Sequence, residues 1–438
     1  MSKEYLEGKT AVKIAESIEH AIQCGQLAGG DSLPSVREAA MMLDVNRNTV
    51  AQAYSRLRER GWVYGRGRGG TRVMPLHEEG EALGEAPVFP GTVDLASGNI
   101  DPTLLPSLKR AAAEVDWQQT GYDRSGEDPE LLGLFRDMLA REGVPADSMM
   151  LGHSALDLIE RALRVRAPIG EKVLVEDPVW PPLLALLRSL GLVVEPVPLD
   201  DKGVMPEELA GRLGAGVAAV VLTPRAQNPT GIDLPAGRLE RIQGALRDHP
   251  RTLLILDDHW GPLSEAPPPA IDPGAPTWLL VRSVSKFLGP DLRLAVATGD
   301  ADTVNRMARQ FALGPRWISR LVQRIAVQLL RSEQTKSQLR TARATYASRH
   351  KALADALRRH GFTVSSGSGV NLWLPVKNEA AMVERMTARG YRIQAGQPFR
   401  LRSEPGIRLS VGNLPVEEAD TVAEALAECT RGASTPMV

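Results

Sequence analysis

Between residues 11 and 22, Ala11, Ile14, Ala15, Ile18, Ala21 and Ile22 recur every three to four positions, which lays one apolar stripe along a helix. Thr10 suits its N-cap and Gly25 its C-terminal end. A second helix is predicted from Ser35 to about Leu43, because Ser35 and Glu38 have the spacing of a capping box, each side chain satisfying an otherwise unpaired N–H. The turn Asp44-Val45 leads to Asn46, an N-cap for a third helix that opens Arg47-Asn48-Thr49-Val50 and stops at Gly61. Two short helices joined by a tight turn predict a helix-turn-helix whose last helix enters a DNA major groove. From Val93 onward the pattern changes. VLVE (173–176), VAAVVLT (217–223), LLILD (253–257) and LLVRS (279–283) are short continuous apolar runs separated by helical stretches. Such runs predict a mainly parallel sheet buried on both faces, an α/β architecture.

The 438 residues are too many for one compact domain and suit two or three. With 43% hydrophobic and 24% charged residues the chain is globular, which excludes disordered and fibrous classes. The formal charge of −1 hides an asymmetry: residues 1–75 hold 11 Lys+Arg and 8 Asp+Glu, a net +3, and the remainder carries −4. From Arg47 to Arg72, Arg47, Arg56, Arg58, Arg60, Arg66, Arg68 and Arg72 face one acid, Glu59, a concentration of charge that attracts phosphates. The next stretch, 76–92, has four glutamates, no Lys or Arg, and several Gly and Pro, so it reads as an extended connector. The expected domains are therefore 1–75, a linker at 76–92, and 93–438. No apolar stretch is long enough for a membrane span and the first residues lack a signal-peptide core, so a cytoplasmic protein is expected. Cys24 and Cys429 lie far apart with no Cys/His cluster, which predicts inert thiols and no metal site.

After Gly61, Trp62-Val63-Tyr64 and Thr71-Arg72-Val73 flank the glycine- and arginine-rich stretch 65–70, a hairpin with a basic tip. The candidate DNA-facing residues are Ser35, Arg37, Arg47, Asn48, Thr49 and Tyr54 on the helices and Arg66 and Arg68 at the tip. Residues 33–73, beginning Leu33-Pro34-Ser35-Val36-Arg37-Glu38, resemble the winged helix-turn-helix of the GntR family of bacterial regulators, which implies operator DNA as partner.

In the second part, Ser283-Val284-Ser285-Lys286 follows an apolar strand and precedes Gly289-Pro290-Asp291-Leu292-Arg293, placing a lysine at a strand end, where α/β sheets bind ligands. Asp257 ends LLILD, as a carboxylate must if it is to keep the pyridine nitrogen of pyridoxal 5'-phosphate protonated. Asn228-Pro229-Thr230-Gly231 could offer an amide to the ring's phenolate oxygen, and Arg408, in Gly406-Ile407-Arg408-Leu409-Ser410, a guanidinium fork to a substrate carboxylate. Arg293 could join Ser283 and Ser285 on the phosphate, beside a helix N-terminus. In this order the motifs resemble fold-type-I aminotransferases across 93–438, with a smaller C-terminal α+β subdomain. Val175-Glu176-Asp177-Pro178-Val179-Trp180 and Gly121-Tyr122-Asp123-Arg124-Ser125-Gly126 resemble further landmarks. The resemblance implies that Lys286 forms the Schiff base, Asp257 partners the pyridinium, Asn228 the phenolate, Ser283, Ser285 and Arg293 the phosphate, and Arg408 the carboxylate. A winged helix fused upstream is the arrangement of the MocR subfamily of GntR regulators, which implies a homodimer and, among some members, control of vitamin B6 salvage.

Three positions depart from the enzymes of this fold. Gly152-His153 stands where Ser/Thr/Ala-Gln cradles the phosphate, leaving the work to backbone N–H groups. The tyrosine expected shortly after Asp257 is absent from Asp257-Asp258-His259-Trp260, which puts His259 beside the cofactor. Trp180 replaces a common tyrosine and either packs on the sheet or faces the ring. The favoured expectation is a regulator that binds the cofactor and senses it, or an amine or amino acid reacting with it, with little transamination. An active aminotransferase with an incidental DNA-binding appendage is the alternative, and a degenerate dimerisation platform a third.

Overall fold

The computed structural model describes residues 5–24, 26–27, 31–59, 62–64, 70–73, 91–117, 121–122, 126–214, 216–272, 274–275 and 277–431. They fall into two compact units, one comprising Met1–Ala86, Pro168–Lys172 and Leu184–Val194, the other Pro87–Ala167, Val173–Leu183 and Glu195–Val438.

In the first unit, helices Ala11–Gln23, Val36–Leu43 and Arg47–Glu59 form where the apolar stripes lie. Thr10 accepts the Lys13 N–H, and the Ser35–Glu38 box is reciprocal, at 3.2 Å for Glu38 N–H to Ser35 Oγ and 2.8 Å for Ser35 N–H to Glu38 Oε2. Asn46 Oδ1 accepts the Asn48 N–H at 2.8 Å and so caps the third helix. Each such cap contributes about 1 kcal/mol. Asp44 takes the left-handed conformation, φ 50°, that sharpens the turn between the last two helices and that a short polar side chain tolerates. Ile14, Ile18, Val50 and Leu57 form the core of the bundle. Val63–Tyr64 and Arg72–Val73 pair antiparallel, and Ser32 bridges to Arg72 as a further extended contact that no alternation of residues signals. The wing tip with Arg66 and Arg68, residues 74–75, and residues 76–90 of the expected connector lie outside the described residues.

In the second unit an eight-stranded sheet runs in the order Met149–Gly152, Ala295–Gly299, Trp278–Ser283, Leu253–Asp257, Val217–Leu222, Lys172–Asp177, Val193–Asp200, Gly203–Val204. Its middle strands Val217–Leu222, Leu253–Asp257 and Trp278–Ser283 are parallel neighbours and buried along their whole length, as their uninterrupted apolar sequence requires. Ala295–Gly299 is antiparallel to both its neighbours. A second sheet of four strands has the order Asn371–Pro375, Gly406–Ser410, Tyr391–Ala395, Val93–Leu95. The smaller subdomain is thus not wholly C-terminal: its edge strand comes from the start of the unit, pairing Val93 with Tyr391. Three residues are too few to show a period in sequence. The Asp177 carboxylate, at the end of a large-sheet strand, accepts the N–H groups of Leu401, Arg402 and Ser403 at 3.0, 2.7 and 2.9 Å, fixing the loop that leads into the strand of Arg408. Among the described residues no helix is long and apolar enough to cross a membrane.

Candidate functional site

In the helix-turn-helix Ser35, Arg37, Arg47 and Asn48 are each exposed and Thr49 is half-buried. Ser35 also spends its hydroxyl oxygen on the cap. Tyr54 corrects the expectation. It is 1% exposed and donates to the Pro34 carbonyl at 2.8 Å, because it falls on the same stripe as Val50 and Leu57 and faces the bundle core. Tyr54 therefore fastens the last helix to the start of the second and does not face a DNA groove.

The cofactor candidates gather at the ends of the middle strands. Asp257 closes Leu253–Asp257, is 9% exposed, and its Oδ1 is buried without a hydrogen-bond partner. A buried carboxylate oxygen left in this state favours its protonated form, and burial, reinforced by the charge of Asp258, pushes the carboxyl up to about 7. A protonated pyridine ring nitrogen is the partner this atom lacks, so the site fits pyridoxal phosphate on its own geometry.

Lys286 and Arg408 meet a common loop, residues 96–98. Lys286 Nζ donates to the Gly98 carbonyl at 3.2 Å, and Arg408 donates through Nη2 to the Ala96 carbonyl and through Nη1 to Asn228 Oδ1 at 3.2 Å. Gly98 has φ +68°, and a Cβ there would stand 3.3 Å from the Arg408 guanidinium, a backbone conformation and a close approach that favour glycine. The motifs did not point to this loop. Arg408 is 7% exposed and its guanidinium lies 4.9 Å from the Phe399 ring centroid, so a cation–aromatic contact adds to the two hydrogen bonds that fix its orientation. Gly231 keeps the Asn228 loop closed: at φ +74° its missing Cβ would come within 2.2 Å of the Asn371 carbonyl.

On the phosphate side, Ser283 Oγ and Ser285 Oγ are 2.9 Å apart, and the Ser285 N–H donates to Ser283 Oγ at 3.2 Å. Arg293 is exposed and has a left-handed backbone, φ 43°, a strained state for a long side chain that often marks a functional turn. Gly152 ends its strand against Leu158, where a Cβ would collide at 2.5 Å. The His153 N–H already donates to Asp157 Oδ2 at 2.9 Å, and its ring packs edge-on against Phe311, so His153 is not a ready phosphate donor in this state. Trp260 replaces the family tyrosine by filling space: it is 1% exposed and edge-on to Tyr346, whose hydroxyl accepts the Asp101 N–H at 2.9 Å. His259 is pushed down to about 4 by burial and by the positive charge of Lys286, and is neutral at physiological pH. Trp180 is half-buried at the start of the helix Pro181–Ser189. The landmark at 121–126 places Tyr122 on the surface, while Asp123, Arg124 and Ser125 lie outside the described residues. A cavity of about 580 Å³ is lined by Trp260, His350, Asp355 and Ser368, among others; on its wall Lys351 and Arg358 both donate to Asp355, and the Ser368 hydroxyl donates to Asp233.

Residues 90–426 match the family model for aminotransferase class I and II, and residues 10–73 that for bacterial regulatory proteins of the gntR family. The chain is 37% identical over 422 residues, covering 95% of this chain and 98% of the other, to the vitamin B6 salvage pathway transcriptional repressor PtsJ of Salmonella typhimurium. It is 30% identical over 266 residues, 56% of this chain and 55% of the other, to the pyridoxine biosynthesis transcriptional regulator PdxR of Corynebacterium glutamicum. Among solved structures, kynurenine aminotransferase of Pyrococcus horikoshii superposes with a TM-score of 0.72 at 20% identity, covering 79% of this chain and 92% of the other.

Proposed function

The chain belongs to the class I and II aminotransferases, in the MocR arrangement that joins this fold to a GntR winged helix, and from that premise we propose that it controls genes of vitamin B6 metabolism by sensing pyridoxal phosphate. It is a DNA-binding transcriptional regulator with a pyridoxal-phosphate domain. When bound, the cofactor supplies an electron sink and a carbonyl carbon for covalent attachment. Lys286 would provide the attaching amine, Asp257 the pyridinium partner and Asn228 the phenolate contact. Ser283, Ser285 and Arg293 would hold the phosphate, with His259 and Trp180 against the ring. Arg408 would grip the carboxylate of an amino acid. The observation that carries the reading is the partnerless buried oxygen of Asp257 at the strand end. We place the DNA-binding part at 1–75, the connector at 76–92 and the sensing part at 93–438.

Effector and operator are coupled only if the cofactor binds two states of the protein with different affinity. Adding pyridoxal phosphate to cofactor-free protein is expected to change operator affinity by about 5- to 150-fold, a coupling of about 1–3 kcal/mol. Equal affinities of the two forms in a titration by fluorescence anisotropy would end the sensor reading. Multiple turnovers per second with amino-acid and keto-acid mixtures would favour an active aminotransferase instead. Trp260 in place of a phenol and the occupied His153 N–H support little turnover, since the cycle depends on groups that tune protons at the cofactor.

On the DNA side, Arg47→Ala is expected to weaken operator binding and to lower the slope of log affinity against log salt by about 0.9 for each phosphate that the variant leaves un-neutralised. Replacing Arg66 and Arg68 together should do the same at the wing. An unchanged affinity and slope in both variants would remove the winged-helix reading.

We also propose a homodimer. Tyr122 is 79% exposed, with Trp317 edge-on to it at 5.7 Å and Arg316 over both rings, an aromatic surface with a cationic rim suited to a second copy. Light scattering of the cofactor-loaded protein is expected to give twice the chain mass, and a monomer at working concentration would refute the assignment.

A further inference from the structure

Four charged side chains beside the cofactor residues form a closed ionic group. Asp258 accepts from Arg225 through Nε at 2.8 Å and Nη2 at 2.5 Å, and from Arg282 through Nε at 3.1 Å and Nη2 at 2.5 Å. Glu142, at the C-terminal end of the helix Pro129–Arg141, accepts from Arg282 Nη1 and Nη2, both at 2.8 Å, and from Arg225 Nη2 at 3.1 Å. Two positive and two negative charges cancel. Arg282 and Asp258 are fully buried and Arg225 is 3% exposed.

Replacing such a group by apolar side chains of equal volume is commonly neutral or stabilising, so stability alone does not explain why it sits inside an otherwise apolar sheet. Its connections do. Asp258 follows Asp257, Arg282 precedes Ser283, and Arg225 stands three residues before Asn228. The three strands are neighbours, and their ladders end near Leu222–Leu256 and Asp257–Val281. Asn228, Ser285 and Lys286 lie beyond those last pairs, in turns that carry backbone bonds of their own, such as Gly231 N–H to the Gln227 carbonyl and Val284 N–H to the Leu294 carbonyl, but no ladder from one of the three strands to the next. A guanidinium fork on a carboxylate fixes direction as well as distance, and here two forks share one carboxylate.

We infer that the Arg225–Asp258–Arg282–Glu142 cluster is a positioning device that holds three strand ends in one register, so that Asp257, Asn228 and the Ser283–Lys286 turn converge on one cofactor. The inference rests on the pyridoxal-phosphate reading only for what is positioned. The register itself is a property of the cofactor-free chain.

The test compares Asp258→Asn and Arg225→Lys, the latter keeping charge but losing the fork, with Arg166→Met, which breaks a part-buried pair to Asp300 between two helices. In the cofactor-free protein, amide exchange is expected to quicken together around Asn228, Asp257 and Ser283–Lys286 in the first two variants and not in the third. In cofactor-loaded protein the same two variants are expected to raise the Kd for pyridoxal phosphate about tenfold or more and to move the pH midpoint of its visible band by about half a unit. Asp258→Glu should recover part of both. If Asp258→Asn fails to fold, Arg225→Lys alone decides. Wild-type exchange, Kd and midpoint in variants whose Tm has fallen would overturn the inference and leave a purely structural salt-bridge cluster. A wild type without a visible band would defeat the cofactor reading, and the exchange measurement would still decide the register.

Discussion

Lys286→Ala is expected to abolish the visible absorption band of the cofactor-loaded protein and to raise the Kd for pyridoxal phosphate on the order of a hundredfold, equivalent to about 2.7 kcal/mol. The side chain is half-buried at a strand end, within 3.2 Å of the Gly98 carbonyl and near a neutral His259, which places its amine for attack on a carbonyl carbon. Truncation leaves one carbonyl without that donor, a loss of about 1 kcal/mol, so the fold survives. Residual affinity should remain through Asp257 and the Ser283–Ser285 pair. Absorbance and circular dichroism on the same sample separate loss of attachment from loss of fold. A variant that keeps the wild-type spectrum would move the covalent role to another lysine.

Asp257→Asn is expected to weaken the cofactor and, at the same time, to stabilise the protein without it above pH 7. The charge-assisted bond lost to the ring nitrogen corresponds to about 1.5–3 kcal/mol, roughly 10- to 150-fold in Kd. In the cofactor-free protein burial holds the Asp257 carboxyl up at about 7, whereas an unfolded aspartate ionises near 3.9. Over that window the folded chain carries a proton that the unfolded chain has lost. The contribution of this group is complete below about pH 4 and disappears as the pH rises through about 7. Glu176, buried and pushed up to about 8, behaves alike. His259 and His350, both pushed down to about 4 by burial, act with the opposite sign, contributing above about pH 6.5 and losing that contribution as the pH falls toward 4. The four offset one another through the acid range, which leaves a fall in stability between about pH 6.5 and 8. Asparagine removes the Asp257 penalty, which builds over the roughly three units between about pH 3.9 and 7 and is on the order of 4 kcal/mol at pH 8. Thermal denaturation of the cofactor-free forms at pH 6 and 8 checks it: equal Tm values for wild type and variant at pH 8 would show that Asp257 is not a buried, proton-holding carboxylate.

The chain thus keeps a group that destabilises its empty state at neutral to alkaline pH, and a bound pyridinium would relieve it. This gives occupancy of the site a thermodynamic effect on the fold that carries it, which a sensor requires and a passive dimerisation platform does not.

Much of this was legible in the sequence. The three N-terminal helices and their caps follow from side chains within four residues of one another, the Ser35–Glu38 box and the Asn46 cap among them, and such local bonds hardly depend on the rest of the chain. The buried strands follow from continuous apolar runs, and Asp257, Lys286 and Asn228 could be singled out as candidates because the first ends such a run and the other two stand in the turns that follow one. Tertiary structure decided what locality could not. Tyr54 shares the spacing of Val50 and Leu57, yet that this stripe rather than another faces the other two helices is set by packing, and it puts Tyr54 in the core instead of a groove. Val93–Leu95 became the edge of a sheet otherwise built from residues beyond 370. Arg408 and the Ala96 carbonyl stand 312 residues apart in the chain, and Arg282 and Glu142 stand 140 apart. Arg282 within LLVRS and Asp258 after LLILD are charges inside buried segments, and a buried ion needs a counter-ion, but the motifs did not single them out. Which partners they met depended on where the chain brought its distant segments together, and no pattern along the sequence encodes that path.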